Sequence, residues 1–132
     1  VRGICCLVPG IPGVSENITV RSIVGRFLEH ARVYWFRNGG EPCAFIGSAD
    51  MMTRNLDRRI EVLTPVLDAG VRRRLLEDIM RVQLADNKQT WLKKGMEYTR
   101  IKPEKGRPAV NAQEMFLAGA ASAGTSPGEA PM

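Results

Sequence analysis

The sequence predicts a mixed α/β domain, a mixed sheet flanked by helices. Three observations predict it. Short apolar or alternating runs fill the first half of the chain. The signal Asn38-Gly39-Gly40 separates two of them as a hairpin. Helical spacing takes over only after Asp68. Strands first and helices later, with a hairpin inside, make a mixed α/β arrangement.

Each element has its own reason. Residues 1–8 form a short continuous apolar run ended by Pro9-Gly10, which reads as a buried strand. Residues 9–15 form a loop punctuated by proline and glycine. Residues 18–24 alternate around Ile18, Val20 and Ile23, a second strand, and 25–30 connect onward. Residues 32–37 are rich in aromatic and β-branched side chains and read as a third strand. Asn-Gly accepts the positive φ of a tight turn, so 42–48 is predicted to return antiparallel. Residues 59–66 alternate around Ile60 and Val62, another strand. Asp68 is placed to cap a helix whose stripe is Val71, Leu75, Ile79 and Val82, widened by Leu76 and Met80. Residues 98–101 suggest a short strand. A last helix over 111–118 has Asn111 at its cap, Glu114 three residues on, a Val110–Met115 staple and Gly119 as its stop. The prediction is therefore one domain over 1–118. Residues 119–132, largely Ala, Gly, Ser and Pro, are expected to be a disordered tail.

Composition narrows the function classes. At 132 residues and 44% hydrophobic content the chain suits one domain with a core. No apolar run approaches the roughly 20 residues of a membrane span, and no charged leader precedes an apolar stretch, which argues against a signal peptide. The start at Val1 suggests a piece of something longer, and the expected location is cytoplasmic. The three cysteines, Cys5, Cys6 and Cys43, show no metal-ligand spacing, so zinc, disulfides and any other metal set are not expected, and the thiols are predicted reduced and largely buried. The net charge of +5 favours an anionic partner. Every cation before Lys88 is Arg, whose planar fork grips phosphate oxygens in pairs.

The candidate chemistry lies in the first half. His30 is the single histidine; it can shuttle a proton near neutral pH or accept a phosphoryl group. Arg32 shares its face if the strand starts that early. Gly47-Ser48-Ala49-Asp50 ends the return strand, where small residues admit a phosphate and the Ser48 hydroxyl can donate to it. Arg54, Arg58 and Arg59 form a candidate polyanion rim, although Asp57 and Glu61 among them invite internal ion pairs. The Arg72-Arg73-Arg74 triplet reads as a solvated helix face.

His30-Ala31-Arg32 and Gly47-Ser48-Ala49-Asp50 together resemble a half-site of the phospholipase D superfamily, which places His-x-Lys on one strand and Gly-Ser-x-Asn on the next. Arg32 stands for the lysine, Asp50 for the asparagine, and Arg37 occupies the place of the motif's aspartate. Longer stretches resemble the polyphosphate kinase family: Arg2-Gly3-Ile4-Cys5-Cys6-Leu7, Ser15-Glu16-Asn17-Ile18, Arg26-Phe27-Leu28-Glu29-His30, Phe45-Ile46-Gly47-Ser48-Ala49-Asp50 and Arg54-Asn55-Leu56-Asp57-Arg58-Arg59. They run in order over about residues 1–102.

That resemblance implies a phospholipase D-like C-terminal domain. It implies reversible transfer of the terminal phosphate of ATP to inorganic polyphosphate, with release of ADP. Arg2 and His30 are the implied ATP and phosphate contacts, with His30 catalytic and Arg32 and Ser48 as weaker candidates. The phosphorylated histidine and the magnesium ligands are implied to lie in a preceding catalytic domain of the same parent chain, a homo-oligomer at full length. Two other readings stay open: a phospholipase D-like phosphodiesterase or nuclease half, and a non-catalytic polyanion-binding module.

Overall fold

The structure, a computed structural model, describes residues 6–123. In chain order the strands are β1 (Arg21–Ile23), β2 (Arg32–Phe36), β3 (Cys43–Gly47), β4 (Leu63–Pro65), β5 (Thr90–Lys94) and β6 (Glu97–Arg100). The helices are α1 (Thr53–Arg58), α2 (Ala69–Arg74), α3 (Arg81–Ala85) and α4 (Ala112–Ala123), and a π-helical turn (Leu75–Met80) joins α2 to α3. The result is mixed α/β with two three-stranded sheets, and it falls into two compact units.

One unit is Leu28–Val82. Its sheet has the order β2-β3-β4, antiparallel throughout. The turn between β2 and β3 uses positive φ at Asn38 (47°), Gly39 (64°) and Gly40 (111°), the conformations that the Asn-Gly-Gly signal anticipates. Phe36 and Phe45 meet edge to face across the hairpin, with ring centroids 6.1 Å apart. Asp68 caps α2 as its sequence position predicts: its carboxylate accepts from the Val71 amide at 2.8 Å. The predicted strand over 59–66 is shorter than expected. It is only Leu63–Pro65, and α1, too short to show a helical stripe in sequence, precedes it. Ile60 is fully exposed and Val62 largely so, because nothing among the described residues covers that stretch.

The other unit comprises the chain up to Phe27 and from Gln83 onward. Its sheet is β1-β5-β6, again antiparallel, with β5 in the centre. β5 was not foreseen, since Thr-Trp-Leu is a short β-forming run followed by two lysines. The centre of this unit is polar. Asp86, Thr90 and Ser22 are its largest fully buried side chains. Asp86 Oδ1 accepts from the amides of Lys88 (3.1 Å) and Gln89 (2.7 Å) and from the Thr90 hydroxyl (3.2 Å), while Oδ2 accepts from the Ala112 amide (2.9 Å). One carboxylate thus ties the end of α3, the start of β5 and the first turn of α4. The Gln113 amide clasps both the N–H and the C=O of Phe27, at 3.0 and 2.8 Å.

Several expectations change. Residues 1–5 of the predicted first strand lie outside the described residues, and Cys6 to Val8 belong to no strand. Cys6 is exposed and Cys43 half-buried, and neither joins a disulfide, so neither is the largely buried thiol expected. α4 runs through Gly119 to Ala123 instead of stopping. One glycine costs a helix about 1 kcal/mol relative to alanine, and alanines flank it on both sides. The tail predicted from Gly119 is helical as far as Ala123; 124–132 lie outside the described residues. Asn111 caps α4 as predicted, accepting from the Glu114 amide at 3.3 Å, but the Glu114 carboxylate pairs with Lys88 at 3.7 Å.

Candidate functional site

The hairpin of the Leu28–Val82 unit gathers most of the predicted site. Register pairs Arg32 with Gly47, so the start of β2 stands beside the end of β3 and the Ser48–Asp50 loop that follows. Gly47 is required by packing. A Cβ there would come within 2.8 Å of the Val62 carbonyl oxygen and 3.0 Å of Leu63 Cδ1. Backbone cannot yield as a flexible side chain can, so Gly47→Ala is expected to destabilise the chain by about 2 kcal/mol, read as a lower urea midpoint.

Arg32 is half-buried and well held. Its Nε and Nη2 both lie 2.9 Å from Asp50 Oδ1, and its Nη1 donates to the His30 carbonyl oxygen. The two departures from the phospholipase D pattern, Arg32 and Asp50, therefore satisfy each other as an ion pair. A guanidinium carries five N–H donors, so Arg32 keeps donors free for a phosphate oxygen. Ser48 is committed elsewhere: its hydroxyl donates to Glu61 Oε2. A phosphate at Ser48 has to displace Glu61 before that hydroxyl can donate to it. The Tyr34 hydroxyl donates to the Ala49 carbonyl at 2.7 Å and braces the loop from below.

His30 is exposed and lies outside β2, which begins at Arg32. Among the described residues only its backbone carbonyl is engaged, leaving the imidazole open to solvent and to a ligand. Arg2 lies outside the described residues. Arg32 and Ser48 line a concavity of about 500 Å³ with mostly apolar walls, Leu75 and Ile79 of the π-helical turn among them. This volume is in the range of small-molecule sites.

The arginine rim differs from the expectation of internal pairing. Arg54, Arg58 and Arg59 are exposed, and none forms an ion pair among the described residues, nor does Asp57. Arg54 and Arg58 are four residues apart on α1 and share one helix face. In the Arg72–Arg74 triplet, likewise, no arginine is ion-paired among the described residues. Sequence reasoning overlooked Glu61 as the acceptor for Ser48; its position just after Arg58 and Arg59 suggested an ion pair with them instead. Among the described residues no three His, Cys, Asp or Glu side chains assemble into a group that could hold a metal ion. No helix among them is long and apolar enough to cross a membrane.

The fold is a mixed α/β domain with two small antiparallel sheets, and comparison with known proteins narrows the class. The family model of polyphosphate kinase C-terminal domain 2 matches residues 1–113. The chain belongs to the polyphosphate kinase family. It is 53% identical over 117 residues to polyphosphate kinase 1 of Chlorobaculum tepidum, covering 89% of this chain and 16% of that protein. It is 52% identical over 119 residues to a polyphosphate kinase of Streptomyces coelicolor, with the same coverage. The crystal structure of polyphosphate kinase from Porphyromonas gingivalis superposes with a TM-score of 0.80 at 41% identity, over 92% of this chain and 19% of that one. The chain therefore spans about a sixth of the length of these relatives.

Proposed function

We propose that this chain serves a polyphosphate kinase, an enzyme that reversibly moves the terminal phosphate of ATP onto inorganic polyphosphate and releases ADP. Its part is to hold ATP and phosphate, and the phosphorylated histidine lies elsewhere in a longer polypeptide. Membership of the family carries this reading. In it, Arg2 clamps nucleotide phosphate. His30 hydrogen-bonds the departing phosphate or exchanges a proton with it. Arg32, oriented by Asp50, neutralises charge, because phosphoryl transfer depends mostly on positioning and electrostatics. Ser48 contributes once Glu61 swings away. The proposal gives magnesium no residue in this chain. The preceding catalytic domain of the parent is the intended partner, in a cytoplasmic homo-oligomer.

The unpaired arginines extend the reading to the polymer. Arg54, Arg58 and Arg59 present three guanidiniums without ion-pair partners among the described residues, a surface suited to a chain of phosphates. Binding of polyphosphate to this chain, followed by calorimetry, should weaken steeply with salt. Replacing all three arginines with glutamine should weaken it by at least tenfold. Equal affinity for single-stranded DNA would instead favour the non-catalytic polyanion module, and undiminished binding by the triple variant would reject the rim.

A further inference from the structure

We propose that the unit built on β1, β5 and β6 carries a second anion site, separate from the His30 hairpin, that takes a small phosphate ligand: inorganic phosphate or the end of a polyphosphate chain. A cavity of about 310 Å³ opens there, lined by Gly10, Thr19, Lys93, Lys94 and Gly95 together with neighbouring apolar residues. That size is at the lower end of ligand pockets and suits a compact group.

Both walls of the cavity are fixed in advance. On one side, Ser15 is buried and locks the loop that carries Gly10. Its hydroxyl donates to the Val8 carbonyl at 2.6 Å and accepts from the Ile11 amide at 3.1 Å, while the Gly10 amide donates to the Ser15 carbonyl at 2.9 Å. On the other side stands the end of the β5–β6 hairpin, where the Lys93 amide is held by the Val20 carbonyl at 3.0 Å. A loop fixed before binding loses little freedom when a ligand arrives.

The chemistry of the walls selects an anion. Lys93 is only 5% exposed, a rare depth for an ammonium group. Its Nζ sits 5.6 Å from the centroid of the Tyr98 ring, its register partner on β6, and the ring face holds the cation in place. The Tyr98 hydroxyl is buried with no hydrogen-bond partner among the described residues, a polar group that burial penalises. Lys94 adds a second ammonium at the rim. Glu97 is its register partner, yet no ion pair joins them among the described residues. Thr19 contributes a hydroxyl. Two ammoniums and a hydroxyl around a compact cavity match the oxygens of a phosphate.

The test is a backbone-amide NMR titration of the 132-residue chain with inorganic phosphate and, separately, with a short polyphosphate, at constant ionic strength and with chloride as control. Saturable shifts are expected at Gly10, Thr19, Lys93, Lys94 and Gly95, and the tighter of the two ligands identifies the source. Lys94→Gln, an exposed change that leaves the fold intact, should weaken that binding about tenfold, the effect of removing one charged contact. His30→Ala should leave these shifts unchanged, which separates this site from the His30 hairpin. Equal shifts with chloride, shifts confined to the neighbourhood of His30 and Arg32, or full affinity in Lys94→Gln would overturn the proposal.

Discussion

Asp86→Ala is expected to cost about 4 kcal/mol of stability, the largest effect of any single substitution considered. The change orphans the Gln89 and Ala112 amides and the Thr90 hydroxyl, all now held by one buried carboxylate, while the Lys88 amide keeps its second acceptor, the Val110 carbonyl at 3.2 Å. Each buried donor left without a partner costs about 1–3 kcal/mol, reduced where water can enter. Asp86→Asn should cost roughly half as much. Its amide oxygen preserves one set of acceptor contacts, and the NH₂ group fails at the other. Urea titration followed by tryptophan fluorescence measures both. Trp91 sits next to Thr90 on β5, whereas Trp35 lies on β2 in the other unit, so a Trp35→Phe background isolates the response. A midpoint for Asp86→Ala close to that of the parent would mean that the carboxylate is not the fastening point.

His30→Ala in the full-length parent enzyme is expected to lower phosphoryl transfer from ATP to polyphosphate by at least about a hundredfold, the usual scale for a lost acid–base group. The stability of the chain should barely change, since His30 is exposed and, among the described residues, only its backbone carbonyl is engaged. That separation makes the experiment informative. Full activity in the variant, with the fold intact, would remove His30 from the mechanism and leave the guanidiniums to do the work.

Much of the fold is legible in the sequence where one local rule decides the outcome. The Asn38-Gly39-Gly40 turn, the antiparallel return over Cys43–Gly47, the Asp68 cap and the Asn111 cap each follow from two or three residues and their backbone needs. β5 was hidden because its pairing partners on both sides are distant or weakly patterned, and Lys93 at a buried position looks like surface in sequence. α1 was hidden because Thr53–Arg58 is too short to show a helical stripe. The strand expected over 59–66 failed for a related reason. Alternation at Ile60 and Val62 describes a face, and a face needs a layer to cover it.

The candidate site was legible in its residue types and less so in its contacts. His30, Arg32 and the Gly-Ser turn were visible as a hairpin constellation, and the register between Arg32 and Gly47 brings two of the pieces together. The Arg32–Asp50 pair and the Ser48–Glu61 bond depend on side-chain directions that spacing does not fix. They change the electrostatics of the site: two carboxylates stand beside groups that were read as phosphate donors. In the proposed function the burden of holding phosphate shifts accordingly toward His30, the free donors of Arg32 and the arginines of α1 and its end, Arg54, Arg58 and Arg59, which form no ion pair among the described residues.

The central claim is that this chain holds phosphate for a reaction whose nucleophile lies elsewhere. The direct measurement is incubation of the 132-residue chain alone with ATP labelled in its terminal phosphate, followed by a count of acid-labile label on the protein. The account predicts none above background, while a polypeptide that includes the preceding domain takes up label. Stoichiometric acid-labile label on the chain alone would make His30 itself the phosphoryl acceptor and contradict the account.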